Sequence, residues 1–424
     1  MIAAFRALSQ RNFYLYVLGQ VISLIGTWIQ QVTVSWITYR VTGSPFMLGL
    51  IAFAGQAPLL LLAPWGGSLA DRFERRHILI VTQWIEMGVA LSLGGVALFY
   101  HFNVGILLAA ALTLGVAGAV EMPTRQAFLP ELLSDKSLMG NAIALNSTTF
   151  NGARLIGPAI AAVLLSFTGD AACFFTNALS YVAALYTLFR IHPIPKPPHQ
   201  RTIKEEGEWM WLRRFTPARW LLLSVAITSF CLSPFMTFMP LYARDVFHGG
   251  PLTLGWLMGC SGAGALIITL LLASRRSPQG LDRLAWLGLG TAALVTLAFS
   301  YNHSLALALP LLFLSGGSFI AIVTSCNIML QSVVPDRLRG RVMALYSMSF
   351  LGMMPLGSLL NGVLARTLGT PNTFLLSGCI ALILVTTLYI RRHTLQAELA
   401  YGINHPEGSE LLQNTLKIYI SISL

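Results

Sequence analysis

Apolar residues gather into runs bounded by charge, proline or glycine, at about 13–39, 46–70, 78–100, 104–124, 140–166 and 171–190, and again at about 219–243, 252–273, 284–300, 304–327, 342–365 and 372–390. Each run is close to the roughly 20 residues that cross a 30 Å hydrocarbon core at about 1.5 Å per residue, so each predicts a transmembrane α-helix. The gap between the sixth and seventh runs differs from the others. It holds His192-Pro193-Ile194-Pro195-Lys196-Pro197-Pro198 and a charged stretch through Arg201, Lys204, Glu205, Glu206 and Glu208 to Arg219. Such a segment is excluded from hydrocarbon and divides the chain six plus six. The expectation is an all-α polytopic membrane protein with twelve transmembrane helices. They form two six-helix bundles at 1–190 and 219–393, with a linker at 191–218 and a tail at 394–424.

Composition excludes a soluble protein: 55% of residues are hydrophobic, 10% are charged and mean hydropathy is +0.69. A net charge of +11 would otherwise suggest a nucleic-acid partner, but the basic residues sort by membrane side. With the N-terminus inside, only Arg40, Arg244 and Arg366 fall outside and Arg154 falls within a span; every other Lys and Arg is on the inner side. Both termini are therefore expected in the cytoplasm, and no nucleic acid is needed to explain the charge. The first apolar run is long and lacks a small-residue cleavage site, so it reads as a retained helix. Cys173, Cys231, Cys260, Cys326 and Cys379 lie in or beside spans without ligand spacing, and no histidine is deep in a span. Neither a metal nor a cofactor is expected.

The halves repeat one another. An offset of 200 pairs Ser147 with Ser347, Gly152 with Gly352, Gly157 with Gly357 and Gly169 with Gly369; an offset of 206 pairs Gly43, Pro45 and Gly49 with Gly249, Pro251 and Gly255. A fixed offset that keeps glycines in place over thirty residues indicates duplication.

Between the second and third runs stands Gly66-Gly67-Ser68-Leu69-Ala70-Asp71-Arg72-Phe73-Glu74-Arg75-Arg76-His77, whose glycines and charges predict a tight turn at a membrane surface. The spacing of Gly67, Asp71, Arg72, Arg75 and Arg76 resembles the signature loop of the major facilitator superfamily, G-x-x-x-D-[RK]-x-G-R-[RK], with Glu74 where glycine is usual. That resemblance covers about residues 6–393. It implies two pseudo-symmetric bundles with a substrate site between them near mid-bilayer, a monomer, and a gating role for Asp71 and its arginines. Gly152, Gly157 and Pro158 in the fifth run resemble the glycine–proline motif of the superfamily's antiporters, with Ala161 and Ala162 in place of its usual glycines.

Ionisable groups inside spans are the sharpest clue, because each costs about 2.5–3.5 kcal/mol at a helix centre and persists with a partner or a wet cavity. The acidic ones are Glu86 and Glu121. One reading pairs Glu86 with Arg154, at similar depth; Glu121 and Arg125, four apart, fall on one helix face. Structural pairing and proton carriage both fit these residues. The first run carries a polar stripe including Gln20, Ser23, Thr27, Gln30 and Gln31. In the superfamily this helix and the tenth line the cavity, which makes Gln30, Gln31, Thr27, Trp28 and Asn327 candidate substrate contacts.

The stretch Glu121 to Leu132, followed by Asn151 to Pro158, resembles the bacterial branch that holds enterobactin exporters and macrolide efflux proteins. The resemblance implies a proton-driven exporter of an amphipathic small molecule, a siderophore or drug-like compound, in the bacterial inner membrane, and not an enzyme. The expected partners are that substrate, protons and the lipid bilayer. The alternatives are a proton-coupled nutrient importer and a lysophospholipid transporter.

Overall fold

The computed structural model describes residues 3–192, 215–275, 279–335 and 338–404; most of the expected linker, and the tail beyond 404, lie outside them. Twelve helices are long and apolar enough to cross a membrane. In the first half they are α1 (Arg11–Thr42), α2 (Pro45–Arg72), α3 (Arg75–Phe99), α4 (Val104–Phe128), α5 (Met139–Phe167) and α6 (Asp170–Arg190). In the second they are α7 (Thr216–Val246), α8 (Pro251–Ala273), α9 (Leu281–Ser300), α10 (Leu305–Val333), α11 (Arg339–Leu368) and α12 (Thr370–Ile390). Lipid offers no hydrogen bonds, so each span must satisfy its backbone internally, and only helix does so within one segment.

Each predicted run became a helix, usually a turn longer than its apolar stretch. The predicted turn at 66–77 is corrected: α2 stays helical through both glycines to Arg72, and only Phe73 and Glu74 leave the helical path. Gly66 serves packing instead, since a Cβ there would meet the Ala119 carbonyl oxygen of α4 at 2.3 Å. Glu74 replaces the family's glycine without strain because its backbone is extended, with φ −63° and ψ 118°. The expected tail begins as a helix, α13 (Arg392–Asn404). It buries Leu395 and Leu399 against the second bundle, and the Gln396 amide donates to Asp282 at 2.7 Å.

The duplication is visible in the packing. Within the first half α2 lies on α4, α3 on α4 and α6, and α1 on α5 and α6; in the second, α8 lies on α10, and α9 on α10 and α12. The halves meet along α2 with α11 and α5 with α8, pairs that exchange under the repeat. The glycines follow the same rule. A Cβ on Gly49 would meet the Ser358 carbonyl oxygen at 2.3 Å and Gly362 Cα at 3.1 Å; one on Gly255 would meet Ala162 Cβ at 2.2 Å and the Pro158 carbonyl oxygen at 3.2 Å. Since 358 and 362 are the repeats of 158 and 162, both seams are built from one ancestral contact of a small residue with a helix backbone. Gly169 and Gly369 also correspond, both at φ +85°, where a side chain would be strained, and they open α6 and α12.

One asymmetry breaks this pattern. α1 and α5 are uninterrupted, with Pro158 accommodated inside α5. Their counterparts are not: α7 contains π-turns at Thr228–Leu232 and Tyr242–Val246, and α11 contains one at Met348–Gly352.

The two ends of the described chain, Ala3 and Asn404, lie on the same side of the twelve spans as the 73–74 break and α13, here called the termini face. Toward the other face one apolar cluster spans both halves, joining Ile29, Trp36 and Leu48 to Phe235, Leu254 and Phe374. Toward the termini face each half keeps a cluster of its own, around Phe13 and Phe128 in the first and Leu330 and Val342 in the second. Among the described residues the halves share an apolar cluster at one face, the sealed face, and none at the other.

Candidate functional site

Inside the first bundle several of the buried polar side chains form one connected chain. The Gln83 amide nitrogen donates to Glu121 at 2.6 Å and to Glu86 at 3.1 Å, two helices' carboxylates meeting on one amide. Arg125 pairs with Glu121 at 2.5 Å. Glu86 also lies within hydrogen-bonding reach of Glu121 and of the Tyr181 hydroxyl. Tyr181 in turn is 3.4 Å from Thr27, and Ser23 donates to Gln83 at 3.4 Å. Tyr16 completes the wall near Arg125. Glu86 and Glu121 are both less than a tenth exposed. The chain runs from mid-membrane at Thr27 and Glu86 toward the termini face at Arg125.

The spacing of Glu121 and Arg125 anticipates their pair, but the pairing of Glu86 with Arg154 is corrected. Equal depth fixed their level and not their direction: α3 turns Glu86 into the first bundle, whereas α5 turns Arg154 to the seam between the halves. There its guanidinium lies 5.9 Å from the Trp28 ring centre and 5.8 Å from that of Phe319 on α10. Gln30 is corrected too. It is buried against α6, where the Asn177 amide donates to it at 2.8 Å, and so braces α1 instead of facing the cleft. Thr27 and Gln31 are exposed and Trp28 half-buried, on the side of α1 between its α5 and α6 contacts. Asn327 accepts from Gln331 at 2.5 Å and reaches Tyr346. Gly157 lets Trp28 approach, since a Cβ there would meet Trp28 Cβ at 2.4 Å; Gly152 meets nothing within 4 Å. Gln83, Tyr181 and Phe319 were missed from sequence; Gln83, three residues before Glu86 on its face, was the one that helical spacing could have found.

The signature loop makes contacts within its own half. Arg75 pairs with Glu131 and donates to the Ala127 and Ala70 carbonyls at 3.2 Å, fastening α3 to the end of α4. Arg76 donates at 2.8 Å to the Leu188 and Phe189 carbonyls at the end of α6. Asp71 is free of such ties: its side chain is 73% exposed, 3.9 Å from Arg75, and Arg72 is exposed beside it. At the opposite face the Tyr39 hydroxyl donates to Asp245 across the seam, Arg244 lies 5.9 Å from the Tyr39 ring centre, and Arg40 pairs with Asp170.

A groove of about 670 Å³ between α2, α3 and α4 is lined by Leu69, Val81, Ile85, Leu112 and Val116 among others, these five being exposed on the outside of the first bundle. Among the described residues no three His, Cys, Asp or Glu side chains gather as a metal site would require.

With this geometry in place, the sequence is matched along nearly its whole length, over residues 2–413, by a family model, that of the transmembrane secretion effectors. The chain belongs to that family. This secretion-effector protein is a transporter of the major facilitator type and not an enzyme. It is 26% identical over 381 residues to the staphyloferrin A transporter of Staphylococcus aureus, covering 88% of this chain and 95% of the relative. It is 26% identical over 400 residues to macrolide efflux protein A of Streptococcus pyogenes, with the same coverage. Among solved structures, a bacterial homologue of the human lysosomal transporter Spinster, inward-facing and occupied, superimposes with a TM-score of 0.70 at 15% identity, covering 91% of this chain and 97% of that one. A bacterial homologue of ferroportin, also inward-facing, gives 0.64 at 18%, with 89% and 98% covered.

Proposed function

We propose that this transporter is a proton-driven exporter of an amphipathic small molecule, working as a monomer in the bacterial inner membrane by alternating access. The termini face is cytoplasmic on the charge distribution, so the sealed face is periplasmic and the cleft opens inward, ready to load from the cytoplasm.

The observation that carries this reading is the Glu86–Gln83–Glu121–Arg125 chain. Two carboxyl groups within hydrogen-bonding reach of each other share a proton, and a single guanidinium balances a single negative charge. Glu86 is therefore the proton carrier. Thr27 and Tyr181 link it to the cleft, and Glu121, Arg125 and Tyr181 are the titratable or charged groups that face it. Two relatives named for a siderophore and a macrolide support export of such compounds.

Inverted vesicles test it. Accumulation of staphyloferrin A or erythromycin driven by a lumen-acid pH gradient is the expected result; import-type uptake, driven by a gradient of the opposite sense, would overturn it in favour of a nutrient symporter.

Among the described residues Asp71 has no cross-half partner in this conformation, so its work as a gate belongs to the state in which the cytoplasmic face closes. Asp71→Asn is expected to leave thermal stability unchanged, as for other exposed surface positions, and to slow turnover. Normal transport by well-expressed mutant protein would sink the gate assignment.

A further inference from the structure

Arg154 is the intramembrane charge that the proton-carrying chain does not use. It is the sixteenth of the 29 residues of α5, and Trp28 and Phe319 stand equally near the middles of α1 and α10. Among the described residues no carboxylate lies within ion-pairing distance of it. Its neighbours are instead the faces of Trp28 and Phe319, at 5.9 and 5.8 Å, near the outer limit of a cation–π contact. The aromatic wall continues on both sides. Phe150, half exposed, meets Trp28 edge-on at 6.1 Å, and Phe350 lies 6.1 Å from Phe319. A guanidinium at the centre of a span persists where a cavity or a partner charge compensates it, and here the protein supplies aromatic faces but no anion.

We infer that Arg154 is the docking point for an anionic group on the transported molecule, so that among substrates organic carboxylates with a flat or apolar body are preferred. The planar guanidinium fork matches a carboxylate in two parallel hydrogen bonds, while the rings take the apolar body. Trp28 belongs to one half and Phe319 to the other, so an anion held at Arg154 touches both walls of the cleft and favours their closure over it. This specificity rests on the exporter reading for its purpose, but binding is measurable without transport.

The experiment is equilibrium binding of radiolabelled 2-naphthylacetate, and of its uncharged analogue 2-naphthylacetamide, to the full-length protein in nanodiscs. Wild type is expected to bind the acid about ten- to a hundredfold more tightly than the amide, the span of a charge-assisted hydrogen-bond pair. Arg154→Gln should bring the acid down to the level of the amide, and Arg154→Lys should keep part of the preference, because an ammonium is a point charge without the fork. Phe319→Ala should weaken acid and amide alike and leave their ratio intact, a readout that survives if Arg154→Gln fails to fold. Equal binding of acid and amide by wild type, or a preference that persists in folded Arg154→Gln, would overturn the inference. Preference for the acid in a protein that shows no gradient-driven transport would remove the exporter reading and leave the anion site standing. Gradient-driven export of neutral or cationic compounds unchanged by Arg154→Gln would do the reverse.

Discussion

Glu86→Gln is expected to reduce gradient-driven accumulation in inverted vesicles to the level seen without a gradient, while counterflow exchange of substrate continues. The amide keeps the size of the side chain and its contacts with Gln83 and Tyr181, but it cannot take up and release a proton. Loss of the driven component alone therefore separates coupling from folding and from substrate binding. Glu121→Gln is the companion variant. Glu121 is held by Arg125 at 2.5 Å and by Gln83 at 2.6 Å, so its replacement removes the carboxylate nearest a largely buried guanidinium and should lower stability by more than Glu86→Gln does. Glu86→Gln spares that pair and should unfold near wild type. Driven accumulation that survives in Glu86→Gln would move the proton to another group.

The second large effect is conformational. Gly49→Leu places a side chain where the Ser358 carbonyl oxygen stands 2.3 Å from a Cβ, and backbone cannot step aside as a flexible side chain would. Overpacking of this kind costs about 1–3 kcal/mol, and the cost falls only on the state in which α2 and α11 are pressed together at the sealed face. The population should shift toward the alternative state by roughly 5- to 150-fold. With the native cysteines replaced and Gln31→Cys introduced, labelling by an impermeant maleimide from the sealed face should accelerate by at least about tenfold. Unchanged labelling from both faces would show that the α2–α11 contact does not control access. Gly255→Leu, its repeat partner against Ala162 and Pro158, should act in the same direction.

The spans were legible because lipid imposes a single solution on the backbone, so an apolar run of sufficient length is already a helix. The repeat was legible for a related reason: glycines are retained where another backbone arrives, and Gly49 with Gly255 and Gly157 with Gly357 all mark such arrivals. The site was less so. Depth can be counted along a span, but direction depends on how each helix is rolled against its neighbours, which is why Glu86 and Arg154 share a level without meeting. Gln30 failed likewise, as polarity marks an inward face without saying whether inward means the cleft or α6. The loop at 66–77 misled because glycine signals a turn in water and a close contact in a membrane, and Gly66 does the second.

The π-turns in α7 and α11 give the duplication an unequal division of labour. The first half carries Glu86, Glu121 and Arg154 on unbroken helices, so its buried charges are held in fixed geometry. The second half has interruptions where its twin has none, two of them beside the glycine seams that must part when the sealed face opens. A change of access therefore need not be a mirror-image swing of two rigid blocks: among the described residues the π-turns, where a helix can bend, all lie in the half that lacks Glu86 and Glu121.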